Sequence, residues 1–201
     1  MVFENLDEKI QNHTDWVLRR QRNIPNNRRL FVLACMDERL PVEEALGISL
    51  GDAHVFRNAG GLVTDDVIRS AMLTTNFFGT EEIIIVNHTE CGMMSAKTET
   101  ILRAIEQKVG SLAQVSLDPA LPELTLTDPL AFGRWVKMFD DVDRIAETQV
   151  KLLRSHPLIP AHVTIHSYIY EIETERLRKP HERLAEHVND ARTMTEHPLL
   201  G

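Results

Sequence analysis

The 201-residue chain lacks the features of several protein classes. It has only two cysteines, too few for a disulfide-stapled scaffold, and no run of about 18 apolar residues that could form a transmembrane helix. Its N-terminus, MVFENLDEKI, lacks the basic flank and apolar stretch of a secretory signal. We therefore expect a cytoplasmic location, where paired cysteines more often bind metal or do chemistry than form disulfides.

Basic residues are also too few for some partners. Lys and Arg number 22 against 30 Asp and Glu, a formal net charge of −8. Nucleic acids and anionic membranes need a positive surface, so we predict that the chain binds neither. Hydrophobic residues make up 43% and charged residues 26%, typical of a globular domain. The length predicts one domain over 1–201, with an N-terminal helical arm over 1–23 and a C-terminal tail over 181–201.

The hydrophobic pattern predicts strands that alternate with helices. Apolar runs typical of strands cover residues 30–35, 53–56, 82–86 and 163–172. Helical spacing covers residues 4–21, a segment after Thr64 that includes Phe77 and Phe78, and residues 131–155, whereas 111–130 reads as irregular. This order indicates an α/β domain with a mainly parallel sheet. Such sheets bind ligands at the carboxyl ends of their strands.

Two reactive residue types fall at that edge of the predicted sheet. Cys35 ends the first strand, and His88 and Cys91 follow the third. Thiolate and imidazole are preferred zinc ligands, and three protein ligands leave a fourth position open, as in catalytic zinc sites. The pattern also allows two buried structural cysteines with a chance histidine, or a Cys35–Cys91 disulfide.

Other candidate residues surround this set. Asp37 and Arg39 could pair and orient a water beside the metal, or form an ordinary loop salt bridge. Gly60 lets the backbone approach a ligand or adopt positive φ, although a plain strand-to-helix turn would also explain it. Phe77 and Phe78 fit core positions by their helical spacing. The alternative is that one of them narrows the entrance to the site.

Three motifs together resemble the signatures of the β-class carbonic anhydrases. They are Cys35-Met36-Asp37-Glu38-Arg39, Arg57-Asn58-Ala59-Gly60-Gly61 and His88-Thr89-Glu90-Cys91-Gly92. The resemblance implies one zinc per chain on Cys35, His88 and Cys91, with an orienting Asp37–Arg39 dyad. It implies a parallel sheet with one reversed edge strand and helices on both faces. It also implies a homodimer, with dimers assembling into larger homo-oligomers.

A narrower likeness covers most of the chain. Four stretches resemble the carbon disulfide and carbonyl sulfide hydrolase branch of that family, namely those at residues 24–30, 74–80, 156–160 and 168–180. Ser167 and Glu175 replace glycines that ordinary β-class anhydrases carry. The likeness implies small apolar substrates, CS₂ and COS.

These observations predict a zinc hydrolase that releases H₂S and CO₂ from carbon disulfide, carbonyl sulfide or both. Zinc lowers the pKa of a bound water to about 7, so that hydroxide can attack the substrate carbon. A narrow apolar passage would select such substrates; Phe77, Phe78, Met93, Met94 and the 111–130 segment are candidates for its lining. The alternatives are a carbonic anhydrase that hydrates CO₂, and a zinc-binding scaffold or regulator without catalysis.

Overall fold

A five-stranded sheet organises the part of the chain that the structure describes. The structure is a computed structural model, and it describes residues 26–49, 51–110, 115–116, 125–126 and 129–184. The strands are β1 (Leu30–Cys35), β2 (Ala53–Asn58), β3 (Glu82–His88), β4 (Val115–Ser116), β5 (Thr125–Leu126), β6 (Thr164–Glu171) and β7 (Arg176–Arg178). The main sheet has the order β2-β1-β3-β6-β7, while β4 and β5 form a separate antiparallel pair.

Pairing within the main sheet confirms the predicted α/β class. The pairs β1–β2, β1–β3 and β3–β6 are parallel, and β6–β7 is antiparallel, so β7 is the reversed edge strand. The helices are α1 (Val42–Leu46), α2 (Asp65–Asn76), α3 (Gly92–Ser95), α4 (Thr98–Val109), α5 (Pro129–Val136) and α6 (Val142–Ser155), with a 3₁₀ turn at Ala59–Gly61. Within the ranges given above, no helix is long and apolar enough to cross a membrane.

Strand β1 is buried along its whole length, as its continuous apolar run predicts. Its side chains alternate between two cores. Phe31 and Leu33 pack in the cluster that includes Val67 of α2 and Leu153 of α6, whereas Val32 packs in a second cluster on the opposite face. Helices on both faces therefore hold the central strands rigidly and fix where their carboxyl ends lie.

Two expectations about helices are wrong. The segment 131–155 contains two helices, because Lys137 has a left-handed φ of 59° and Asp141 then caps α6 by accepting from the Arg144 amide. Helix α2 begins after Thr64, as predicted, but ends at Asn76. Phe77 and Phe78 lie beyond it and are 80% and 58% exposed, so they are not core residues.

The predicted arm over 1–23 lies outside the described residues, and so does most of the tail over 181–201. The predicted helix over 4–21 therefore remains a prediction, as does the division into one domain with an arm and a tail. Apart from β4 and β5, most of the predicted irregular segment 111–130 also lies outside those residues.

Candidate metal centre

The parallel sheet brings the predicted ligand residues together. Cys35 is the last residue of β1 and His88 the last of β3, and these strands are neighbours. Cys91 follows three residues after His88, directly before α3. One ligand atom from each of the three residues lies within 4.8 Å of the other two, and all three residues are buried.

The spacing of the two sulfurs fits a shared metal ion and excludes a disulfide. The Sγ atoms of Cys35 and Cys91 lie 3.9 Å apart, and both cysteines are free. A disulfide needs an S–S length of about 2.05 Å. Two thiolates on one tetrahedral zinc, each with a Zn–S bond of about 2.3 Å, would lie about 3.8 Å apart. The alternative of a Cys35–Cys91 disulfide is therefore wrong for this structure.

His88 presents one nitrogen to this pair. Its Nδ1 lies 2.8 Å from the Thr89 carbonyl oxygen, which can only accept, so Nδ1 carries a proton and donates it. The opposite nitrogen, Nε2, is buried and has no hydrogen-bond partner. A buried polar atom without a partner costs about 1–3 kcal/mol, and a metal ion would remove that cost. The imidazole therefore has the tautomer and the orientation of a metal ligand.

The electrostatics of the cluster favour a cation. The hydrogen bond with Cys91 lowers the pKa of Cys35 to about 4, against the effect of burial, and backbone hydrogen bonds from Asp37 and Gly60 contribute. The same thiol pair and burial raise the pKa of Cys91. Burial by itself lowers the pKa of His88, but its proximity to the Cys35 sulfur raises it overall. Metal binding by these residues therefore releases protons and strengthens as the pH rises.

Asp37 and Arg39 form the predicted dyad beside the cluster. Arg39 donates from Nε to Asp37 Oδ1 at 2.9 Å and from Nη2 to Oδ2 at 3.0 Å, a bidentate pair. These bonds lower the pKa of Asp37 to about 2, so its carboxylate is ionised at neutral pH. Asp37 Oδ2 lies 3.7 Å from His88 Nε2. The carboxylate thus faces the ligand atoms while Arg39 holds it from behind.

Two further residues complete this arrangement, and sequence reasoning gave neither a definite role. Glu90 accepts from Arg39 Nη1 at 3.0 Å, and its carbonyl accepts from Nη2 at 3.2 Å. Arg57 donates to the carbonyls of Cys35 and Asp37, at 2.9 and 2.6 Å. Both residues stand within the three motifs, and that position is the only sequence signal that could have singled them out.

Comparison with known proteins identifies the family. A family model described as carbonic anhydrase matches residues 30–177. The chain belongs to the carbonic anhydrase family. A carbon disulfide hydrolase of Acidithiobacillus thiooxidans is 61% identical over 193 residues, which are 95% of this chain and 96% of that protein. "Beta-carbonic anhydrase 1" of Mycobacterium bovis is 30% identical, over 86% of this chain and 96% of its own.

A solved structure gives the same result for the fold. The apo form of a carbon disulfide hydrolase superposes with a TM-score of 0.76 at 45% identity and covers 98% of both chains. The predicted family, and the predicted likeness to its carbon disulfide hydrolase branch, are both confirmed.

Two glycines follow the Asn58 end of β2, and they differ in what they require. Gly60 has a φ of 82°, and a hydrogen bond from its backbone helps to lower the pKa of Cys35, so it lies beside a predicted metal ligand. At Gly61 an added Cβ would lie 2.8 Å from the Cys35 amide nitrogen. Glycine at 61 therefore lets this family's second motif pack directly against the strand that carries Cys35.

A largely apolar cavity of about 410 Å³ lies beside Asn58, the residue that pairs with Cys35, but neither the three predicted ligands nor the dyad line it. Its wall includes Met93, two residues after Cys91. The other lining residues are Phe56, Asn58, Ala59, Leu62, Thr64, Asp66, Trp135, Val136 and Lys137. Of the predicted lining residues, Met93 is in this wall.

The structure does not bring Phe77 and Phe78 to the centre. Phe78 packs edge-on against His54, near the start of β2, and lines a separate cavity of about 280 Å³. Four residues of strand, about 13 Å, separate His54 from Asn58, which pairs with Cys35. Phe77 packs edge-to-face against Phe78, with the ring centroids 5.1 Å apart. Within one chain, both rings therefore lie at the amino edge of the sheet.

Proposed function

We propose that this protein is a zinc-dependent carbon disulfide hydrolase that also accepts carbonyl sulfide. One observation carries the proposal: 61% identity over nearly the whole length to a carbon disulfide hydrolase, against 30% to a β-class carbonic anhydrase. The buried Cys35, His88 and Cys91 cluster supplies the donor set that zinc prefers. The balanced reaction is CS₂ + 2 H₂O → CO₂ + 2 H₂S.

The stoichiometry explains why two substrates belong together. Hydrolysis of one C=S bond of CS₂ consumes one water and gives COS and H₂S. A second hydrolysis converts COS and water to CO₂ and H₂S. An enzyme that completes the overall reaction must therefore process COS, whether or not COS leaves the site between the two steps.

The chain's own residues supply orientation and a dry environment. A zinc ion, when bound, makes hydroxide available at neutral pH by lowering the pKa of a water ligand. Asp37 remains ionised and accepts a hydrogen bond from the attacking water through its carboxylate. Arg39 occupies the other lone pairs of that carboxylate and prevents its rotation. The cavity wall is mostly apolar, as at Met93 and Leu62, which favours a small linear substrate without charge, although Asp66 and Lys137 also line it.

The test measures products from the purified, zinc-loaded protein. We expect sulfide from CS₂ and from COS, and slow hydration of CO₂ by stopped-flow pH-indicator assay. Fast CO₂ hydration without sulfide from either substrate would replace the proposal with the carbonic anhydrase alternative. X-ray absorption that finds four protein ligands on zinc at every working pH, with no activity, would favour the scaffold alternative instead.

We also propose that the chain forms a homo-oligomer. Several large apolar side chains are exposed in the single chain, including Phe77 at 80% and Val109 at 70%, and exposed apolar surface often marks an interface. Size-exclusion chromatography with light scattering tests this directly. The cytoplasmic location remains a prediction.

A further inference from the structure

The short segment between His88 and Cys91 is tied to the turn that joins β6 and β7. The Thr89 amide donates to the Tyr170 carbonyl at 3.0 Å. Its hydroxyl oxygen accepts from the Ile172 amide at 2.9 Å and donates to Glu173 Oε2 at 2.7 Å. Thr89 thus makes three hydrogen bonds to a strand and turn that lie more than eighty residues further along the chain.

The third polar group of Thr89, its carbonyl, holds the predicted metal ligand. This carbonyl accepts the Nδ1 proton of His88, the bond that fixes the tautomer and leaves Nε2 free toward the two sulfurs. The position of this carbonyl depends on where the rest of Thr89 is held. We propose that Thr89 and Glu173 are positioning residues, which hold the His88 imidazole in its metal-binding orientation.

Glu173 has a specific part in this arrangement. A hydroxyl whose oxygen accepts from the Ile172 amide must direct its own proton elsewhere, and the Glu173 carboxylate receives it. Hydrogen bonds to an ionised acceptor are roughly twice as strong as neutral ones. Glu173 is otherwise an exposed residue of a surface turn, and among the described residues its carboxylate makes no other side-chain hydrogen bond or ion pair.

The turn is itself held firmly, so it can serve as an anchor. Arg178 of β7 is only 9% exposed and donates from Nε to Glu171 Oε1 at 2.9 Å. It also donates from Nη1 to Asp143, near the start of α6, at 2.5 Å. This ion cluster joins both strands of the β6–β7 hairpin to the helix layer. A connected path therefore runs from α6 through the hairpin to Thr89 and His88.

The experiment measures zinc binding in four variants of the full-length protein. Thr89→Val removes the hydroxyl with little change of shape, Thr89→Ser keeps it, and Glu173→Ala removes its acceptor. Thr174→Val is the matched control, because it changes a neighbouring threonine of the same turn that bonds to Glu171 and not to Thr89. The zinc dissociation constant comes from competition with a chromophoric chelator, and the unfolding temperature of each zinc-loaded variant is recorded alongside.

We expect Thr89→Val to weaken zinc binding 10- to 100-fold, the usual effect of losing a residue that supports a metal ligand. Thr89→Ser should stay within about threefold of the parent, and Glu173→Ala should lose several-fold. Thr174→Val should match the parent. The cobalt-substituted protein adds a spectroscopic signature, since a displaced imidazole changes its absorption bands in Thr89→Val but not in Thr89→Ser.

A lower unfolding temperature with unchanged zinc affinity and cobalt spectrum would assign Thr89 and Glu173 to the fold alone and overturn the proposal. If Thr89→Val fails to fold, Glu173→Ala decides the question from the surface. The inference rests on the proposed zinc site, but its readout uses no substrate. Weakened zinc binding in a protein that releases no sulfide would support the positioning role while refuting the hydrolase. Normal zinc binding in an active hydrolase would do the reverse.

Discussion

The two ends of the parallel sheet hold similar polar side chains, but these differ in whether their buried atoms have hydrogen-bond partners. At the amino end, the hydroxyls of Thr74 and Thr80 bond to each other at 2.6 Å, and His54 and Asn26 complete the group. At the carboxyl end, His88 and Asn87 contribute the only two buried side-chain nitrogen or oxygen atoms that lack a partner among the described residues. Each end also borders an apolar cavity.

The difference separates a structural network from a binding site. Histidine and buried hydroxyls at the amino end satisfy one another, so that network stabilises the chain without a ligand. At the carboxyl end the two sulfurs share one hydrogen bond, but Nε2 of His88, which is buried beside them, has no hydrogen-bond partner. A fold bears such a cost where a ligand offsets it. The presence of a histidine alone therefore does not distinguish the two ends. The candidate metal centre is distinguished by a buried Nε2 atom that has no hydrogen-bond partner and lies beside two thiols.

The largest expected effect comes from removing a thiolate. Cys91→Ser should lower zinc affinity by at least about 100-fold, because a hydroxyl is a poor ligand for zinc at neutral pH, and sulfide release should fall with it. His54→Gln changes a histidine at the other end of the sheet and should keep full zinc content. Metal analysis after dialysis checks both. Full occupancy in Cys91→Ser, or zinc loss in His54→Gln, would contradict the contrast.

The next effect concerns the dyad. Asp37→Asn should keep zinc but lower kcat by about 10²–10³, since an amide can turn a donor toward the attacking water in place of an acceptor. Glu81→Gln is the control, because Glu81 forms an exposed pair with Arg29, at 2.6 Å, at the amino end of the sheet. Steady-state sulfide release with zinc analysis measures both. Equal activities would reduce the Asp37–Arg39 pair to a loop salt bridge.

Substitutions at two glycines, one at each end of the sheet, test the effect of packing alone. Both have positive φ, 61° at Gly61 and 72° at Gly79. A Cβ at Gly61 would press on the backbone of Cys35, whereas at Gly79 its nearest neighbour would be the end of the Arg29 side chain at 3.7 Å. We expect Gly61→Ala to cost roughly 3 kcal/mol of unfolding free energy and to reduce zinc affinity. Gly79→Ala should cost about 1 kcal/mol, with normal zinc binding.

Chemical denaturation and chelator competition measure these two quantities. Equal losses of stability would mean that the close approach at Gly61 is accommodated by movement of β1. Zinc loss in Gly79→Ala would show that the amino end is coupled to the centre.

A smaller effect is expected on substrate choice. The structure favours Met93 over Phe78 as the residue that lines the substrate passage. The cavity beside the centre contains Met93, while Phe78 lies at the other end of the sheet. Met93→Ala should open a wetter route and raise CO₂ hydration relative to sulfide release by about tenfold or less, because a charged product then leaves at a lower desolvation cost. Phe78→Ala should change that ratio by less than about twofold. The reverse result would return the passage to Phe78, which is the alternative to its predicted core position.

Some parts of the site can be predicted from the sequence and others cannot, for physical reasons that particular residues show. Cys35 and His88 could be placed together because parallel strands present their carboxyl ends at one edge, which topology guarantees. The predicted core positions of Phe77 and Phe78 are wrong because helical periodicity does not show where a helix ends, and α2 ends at Asn76. The Thr89–Glu173 bond joins residues 84 positions apart and depends on a hydroxyl direction. No local pattern encodes such a distance.

The smallest expected effect is on stability and concerns Glu175, in the turn before β7. Glu175 stands where ordinary β-class anhydrases carry glycine, and in the structure it has a φ of 56°, the left-handed region. That conformation costs a residue with a Cβ roughly 1 kcal/mol. Glycine relieves the strain but adds freedom to the unfolded chain, so Glu175→Gly should stabilise the protein by about 0.5 kcal/mol and raise Tm by about 1–2 °C. Glu175→Ala removes the charge and keeps the strain, so it should leave Tm almost unchanged. If alanine stabilises as much as glycine does, the gain comes from lost charge repulsion in an acidic turn and not from the backbone.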